Sequence, residues 1–295
     1  MPSFMSKTIR CAFTAIMAMF VFAAFTTAST PSHAGPAILV DADSGEVLFA
    51  NRAFDRWHPA SITKLLTAYA CLVAVEEGTL ELDEPAGPPG ATVRHLLAHA
   101  SGLGLDAGAS APPGHRRIYS NTGFQVLADL LGSRSAMPAH RYVADAVLEP
   151  LGMASTDVAD RSLAHGATST TGDLTRFAHE LLRPSLVHPD TLREATTVQF
   201  PGLRGVLPGV GPQAPNDWGL GFELRDAKHP HWTGRRNSSH TFGHFGGSGT
   251  FLWVDPVAEV ACVGLTDREF GPWALDAWPA ISDAVLTAVA SSLDR

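Results

Sequence analysis

Cysteine and basic charge are both scarce in this chain. Its 295 residues include three cysteines, and its 21 lysines and arginines face 29 acids, for a net charge of −8. Cys11 lies in an N-terminal apolar run, while Cys71 and Cys262 sit in apolar surroundings. The latter two read as core thiols rather than a disulfide framework, with a single bridge between them left open. An acidic chain without basic patches is a poor binder of nucleic acid, so none is expected as a partner. There is no internal repeat, no low-complexity tract, and no apolar run of the roughly 20 residues that a membrane-spanning helix needs.

What is present at the N-terminus has an export pattern. Lys7 and Arg10 precede an apolar stretch from Cys11 to Phe25, and small residues follow as far as Ala34. Residues 1–34 are expected to be a signal peptide cleaved after Ala34, with an uncleaved anchor as the alternative. The expected product is periplasmic or extracellular and keeps no stable membrane anchor. About 260 residues remain, enough to bury a full core.

Two short apolar strands, 37–42 and 46–50, flank Asp43-Ser44-Gly45, which is hairpin chemistry. A helix is predicted from Ser61 to Gly78, its apolar stripe formed by Ile62, Leu65, Leu66, Tyr69, Leu72 and Val73. Further helices are predicted over 92–99, 123–131, 139–148 and 171–182, and the Gly- and Pro-rich stretch 199–217 reads as a long loop. Strands are expected over 219–225, 241–244, 250–254 and 260–266, followed by a last helix over 273–293. Strands at both ends and helices between them give an α+β fold: an antiparallel sheet built from both chain ends, flanked by N- and C-terminal helices, with a helical domain inserted. The expected division is 35–65 with 215–295 as the sheet domain and 66–214 as the helical domain.

Three short motifs carry chemistry. Ser61 and Lys64 are three apart, so on a helix they share a face, and a lysine whose pKa is lowered by burial can take the serine's proton. Tyr119-Ser120-Asn121 offers a phenol able to act as acid or base, stabilised by Lys64, and an amide able to hold a substrate carbonyl or amide. Phe242-Gly243-His244-Phe245-Gly246-Gly247-Ser248-Gly249 is a strand edge almost free of side chains, where a substrate backbone can approach. Taken singly, each motif is also ordinary surface helix, core tyrosine or glycine-rich hairpin. His95 and His99, four apart, have a spacing that can bind zinc, but no Glu lies between them and no metal is expected.

The order Ser61-x-x-Lys64, Tyr119-x-Asn121, His244-x-Gly246 resembles the serine β-lactamase and D-alanyl-D-alanine carboxypeptidase superfamily, in its class C β-lactamase-related branch. His95-Leu96-Leu97-Ala98-His99-Ala100-Ser101-Gly102-Leu103, Glu149-Pro150-Leu151-Gly152-Met153, Ser169-Thr170-Thr171-Gly172-Asp173-Leu174 and Trp218-Gly219-Leu220-Gly221-Phe222 also look like landmarks of that branch. Residues 38–69 are closer to the low-molecular-weight penicillin-binding carboxypeptidases, whose Ser-x-Asn and Lys-Thr-Gly are absent here.

The resemblance implies a β-lactamase/transpeptidase-like fold and an exported serine hydrolase that works through an acyl-enzyme. Its substrate would be an amide or ester, first of all a peptidoglycan stem peptide or β-lactam as for a carboxypeptidase or β-lactamase. An esterase or D-aminopeptidase is the alternative within the family, and a slowly deacylating penicillin sensor the alternative outside catalysis. It implies Ser61 as nucleophile, Lys64 and Tyr119 as proton carriers, and no cofactor. Asn121, His244, Phe245, Gly246 and Gly247 would bind substrate, with the N–H groups of Ser61 and Gly247 as oxyanion hole. Phe245 stands where carboxylate-binding relatives have a hydroxyl residue, and only seventeen residues separate Ser101 from Tyr119. Both departures favour an open site or a less charged acyl donor.

Overall fold

The computed structural model describes residues 37–40 and 47–293, with side chains from 52 to 291. The expected signal peptide and the Asp43-Ser44-Gly45 turn lie outside the described residues. Strand β1 (Ala37–Val40) pairs antiparallel with β2 (Val47–Asn51) and lies beside the later strand Val260–Gly264. A single 3₁₀ turn, Ala60–Ile62, leads into helix α1 (Thr63–Glu76). The expected apolar stripe understates this helix, because every residue from Thr63 to Ala74 is buried. Buried on all sides, it is the central helix of the fold.

Around α1 stand α2 (Val93–Leu97), α3 (Asn121–Ser135) and α4 (Ala139–Val143), the last running on through a π turn, Ala144–Leu148. Thr92 caps α2 and Ser120 caps α3, each accepting a backbone N–H three residues on. Helix α5 (Thr171–Leu182) lies inside the segment expected as a helical domain yet packs on the later strands Thr250–Asp255 and Val260–Gly264. A further helix, α6 (Pro189–Ala195), was not anticipated. The stretch expected as loop holds a small hairpin, β3 (Gly205–Leu207) with β4 (Gly211–Gln213).

The main sheet runs in the order β5 (Glu223–Leu224), β6 (Phe242–Gly246), β7 (Thr250–Asp255), β8 (Val260–Gly264), all antiparallel. Helix α7 (Pro272–Leu293) closes the chain. Strand alternation divides the core into two layers. Phe242, Leu252 and Val254 belong to the layer shared with α1 and α5, whereas Phe245, Phe251 and Trp253 belong to the layer shared with Trp278 of α7. Cys71 and Cys262 are free thiols, each pushed up to about 12 by burial.

The turn that carries Ser61 is fastened to the sheet. Thr250 Oγ1 donates to the Pro59 carbonyl at 2.9 Å, and Ser248 Oγ donates to the His58 carbonyl at 2.7 Å. Gly246 makes the approach possible: a Cβ there would lie 2.4 Å from Pro59 O and 2.5 Å from Thr250 Oγ1. On the other side of α1, Gly221 adopts φ +87°, and a Cβ would meet the Cβ of Ala68 at 2.1 Å. These two glycines are where chain segments pass too closely for any side chain.

Candidate active site

Lys64 is fully buried in the first turn of α1. Its Nζ donates to Asn121 Oδ1 at 2.6 Å and to the Ala164 carbonyl at 2.7 Å, and lies 4.8 Å from the centre of the Tyr119 ring. Burial lowers its pKa from 10.5 to about 7, against a smaller upward pull from the carboxylate of Asp106. The segment supplying Ala164 O is itself tied to α1, because Thr67 Oγ1 donates to Leu163 O and Thr63 Oγ1 accepts the Ala167 N–H.

Tyr119 precedes the cap of α3. Burial pushes its phenol well above the ordinary range, and a hydrogen bond from the Ser61 side chain works in the opposite direction by favouring the phenolate. A second hydrogen bond reaches the same oxygen from His244, whose Nε2 stands 3.1 Å from Tyr119 Oη. Nδ1 of His244 accepts the Phe245 N–H at 2.8 Å, so Nε2 carries the ring proton and donates. Burial, and then Lys64, lower the pKa of His244 to about 3, which leaves it neutral. Asn121 completes the cluster, its Oδ1 on Lys64 and its Nδ2 donating to Asp106 Oδ1 at 2.9 Å.

Five expected site residues thus lie together: Lys64 is bonded to Asn121, His244 to Tyr119, the Ser61 side chain acts on the Tyr119 phenol, and the Lys64 amine stands against the Tyr119 ring. Gly246 lies against the turn that carries Ser61. Gly247 follows in the turn to β7, and neither its N–H nor that of Ser61 has a hydrogen-bond partner among the described residues. Phe245 is different. Its ring is buried between Trp232 at 5.5 Å, Phe270 at 4.7 Å and Trp278 at 6.0 Å, on the face of β6 opposite His244. The expectation that this ring meets substrate is therefore corrected: Phe245 offers the site only its backbone.

Residues outside the three motifs hold the cluster in place. His99 has φ +54°, its Nδ1 accepts the Ser120 N–H at 3.1 Å, its carbonyl accepts the Ile118 N–H at 2.9 Å, and its ring lies 4.6 Å from that of Tyr119. It therefore brackets Tyr119 on both sides. His95 turns elsewhere, onto Thr92 Oγ1 at 2.9 Å and the Phe200 ring at 4.3 Å, so the two histidines do not form one ligand pair. The buried Arg117 guanidinium donates to the carbonyls of Ala98 at 2.5 Å, Gln199 at 2.7 Å and Asn216 at 3.0 Å, joining three segments beneath the site. Burial lowers its pKa to about 10. Trp218 packs edge-on to His244 at 5.4 Å and to His99 at 4.7 Å.

Residues 32–286 match the family model described as Beta-lactamase. The chain belongs to the β-lactamase family. A solved structure described as a β-lactamase from Mycobacterium bovis is 55% identical, with a TM-score of 0.84, and the match covers 88% of this chain and 96% of that one. A simvastatin synthase mutant from Aspergillus terreus shares the fold at 17% identity and TM-score 0.75, over 94% of this chain and 98% of that one. The D-alanyl-D-alanine-carboxypeptidase/endopeptidase AmpH of Escherichia coli is 28% identical over 135 residues, 33% of this chain. The match spans only 35% of that relative's length. The β-lactamase-like α+β architecture expected from the motifs is the one observed, and the family is one of serine hydrolases.

Proposed function

We propose that this chain hydrolyses an amide or ester bond through an acyl-enzyme on Ser61. The observation that carries the reading is the buried Lys64 amine, with a pKa near 7, one helical turn from Ser61 and against the Tyr119 ring. At neutral pH a large fraction of such an amine is unprotonated. Its two N–H bonds then point at Asn121 Oδ1 and Ala164 O, which leaves the lone pair for the serine proton. Tyr119 keeps its own proton at neutral pH and is suited to pass it to the leaving group. Water then attacks the ester on Ser61 with the same groups acting in reverse. The backbone N–H groups of Ser61 and Gly247 stabilise the oxyanion in both steps. The reading invokes no metal and no cofactor.

For the substrate, a neutral His244 and a Phe245 ring turned into the core leave a weak grip on a carboxylate. That favours an ester or an amide without one, as for an esterase or D-aminopeptidase. The second reading, a D-alanyl-D-alanine carboxypeptidase or β-lactamase, is supported by the descriptions of the Escherichia coli and Mycobacterium bovis relatives. Export rests on residues 1–34; among the described residues no helix is long and apolar enough to cross a membrane.

The test is a substrate panel of p-nitrophenyl acetate, a D-amino-acid amide, nitrocefin and a D-Ala-D-Ala peptide, run with wild type and Ser61→Ala. Turnover of the ester or amide above the other two, absent in the variant, is the expected result. Faster turnover of nitrocefin or peptide selects the second reading, and stable labelling by a fluorescent penicillin without turnover selects a sensor. Wild-type turnover in Ser61→Ala overturns the assignment.

A further inference from the structure

Asn121 is held at both ends. Its Oδ1 accepts from Lys64 Nζ at 2.6 Å, and its Nδ2 donates to Asp106 Oδ1 at 2.9 Å. The loop that carries Asp106 is pinned to the start of α3: the Leu105 carbonyl accepts the N–H groups of Asn121 at 2.7 Å and Thr122 at 3.1 Å, and Ser120 Oγ donates to Gly104 O at 2.6 Å. Asp106 therefore occupies a set position rather than swinging in solvent. It is exposed, and among the described residues it joins no ion pair. Its charge is nonetheless felt inside the site, at Lys64, Tyr119 and His165.

We infer that Asp106 is a specificity-determining residue: it fixes the Asn121 amide with Oδ1 towards Lys64, and it selects acyl donors carrying a positive group beside the scissile bond over donors carrying a carboxylate there. The inference rests on the Ser61 reading above. An amide bound by a carboxylate on one side can present only its nitrogen to that side, so Asp106 decides which way round Asn121 sits. One of the two Nδ2 hydrogens is taken by Asp106, and the second remains for a substrate carbonyl. A ligand that reaches this hydrogen comes within a few ångströms of an unpaired negative charge. An ammonium gains there and a carboxylate loses, and the effect is weakened by the exposure of the site. Leu105, 51% exposed beside Asp106, adds an apolar lip for the rest of the donor.

Three p-nitroanilides with one leaving group test this: those of D-alanine (ammonium), propionic acid (neutral) and succinic acid (carboxylate). In wild type, kcat/KM should fall in that order, by roughly three- to tenfold per step. Asp106→Asn keeps an oxygen to accept from Asn121 and removes only the charge, so the ammonium-to-carboxylate ratio should collapse towards one. Asp106→Ala frees the amide as well and should lower kcat for all three substrates, with Asp106→Asn restoring it. In wild type, raising the salt from 0.05 to about 1 M should compress the ratio, because an exposed charge is screened. A ratio unchanged in Asp106→Asn, or unchanged by salt, overturns the inference while leaving the Ser61 reading intact. Turnover in Ser61→Ala would instead remove that reading first.

Discussion

His244 Nε2 lies 3.1 Å from Tyr119 Oη, and the proton between them belongs to the histidine, because His244 Nδ1 is occupied by the Phe245 N–H. The histidine is thus a neutral donor aimed at the oxygen on which negative charge develops if Tyr119 gives up its proton. A hydrogen bond to a charged group is worth about 1.5–3 kcal/mol. His244→Ala should therefore lower kcat for an ester substrate by roughly 10–100-fold, and His244→Gln should recover part of the loss through its amide N–H. With its pKa near 3, His244 should contribute no inflection to the rate between pH 5 and 8. An unchanged kcat in His244→Ala would remove it from the proton path.

The pH profile follows from Lys64. Its ammonium is destabilised by burial, so the free base dominates above about 7 and the charged form below. kcat/KM should rise tenfold per unit towards that value and level off above it. Asp106 holds the pKa up, so Asp106→Asn should move the inflection to lower pH. His99 and His165 have their pKa values lowered, by burial first and by Lys64 next, so neither adds a rising limb near neutrality. Lys64→Arg, whose guanidinium stays charged, should lose activity across the range. A profile flat from pH 5.5 to about 9 would exclude Lys64 as base.

Gly246→Ala should inactivate the enzyme without unfolding it. The added Cβ would push on Pro59 O and on Thr250 Oγ1, shifting the turn that carries Ser61 relative to β6. A displacement on the order of 1 Å is enough to lose about 10²-fold in rate. Activity and the thermal midpoint, measured together, separate this from global destabilisation.

The stability of the sheet should depend on Glu223. This buried carboxylate is bonded to Lys228 Nζ, to His231 Nε2 at 2.9 Å and to Trp232 Nε1 at 3.0 Å. Burial alone would raise its pKa, but Lys228 and His231 outweigh that and hold it at about 2. A depressed carboxylate pKa stabilises the fold above the ordinary value of 4.5, and the contribution is lost as pH falls from there through about 2. Glu223→Ala strands the Lys228 charge and should cost about 3–5 kcal/mol in denaturant unfolding at neutral pH.

Much of this arrangement was legible in the residues. Helix α5 falls where it was predicted, at Thr171–Leu182, and Thr170 caps it. Where the sequence was silent, the causes are local. The β3 and β4 strands are three residues each, too short to show alternation among glycines and prolines. Asp106 lies in a Gly- and Ala-rich loop with no periodicity, and its link to Asn121 is made only in three dimensions. The helix predicted over 92–99 ends already at Leu97, and the positive φ of His99 turns its ring away from that of His95. Phe245 is instructive in another way. Once His244 was assigned to the site, strand alternation already required its neighbour to face the opposite layer.

The bonds from Ser248 and Thr250 to His58 and Pro59 join partners 190 and 191 positions apart in the chain. On the proposed reading, reactivity at Ser61 should be a late event in folding, since the loop between those partners must close before β6 can stand beside Ser61. Recovery of turnover after dilution from denaturant should track the slowest structural phase. A break in the backbone between α1 and β6 would leave two inert pieces whose reassociation alone restores the reaction, so this enzyme can report whether its own two ends have met.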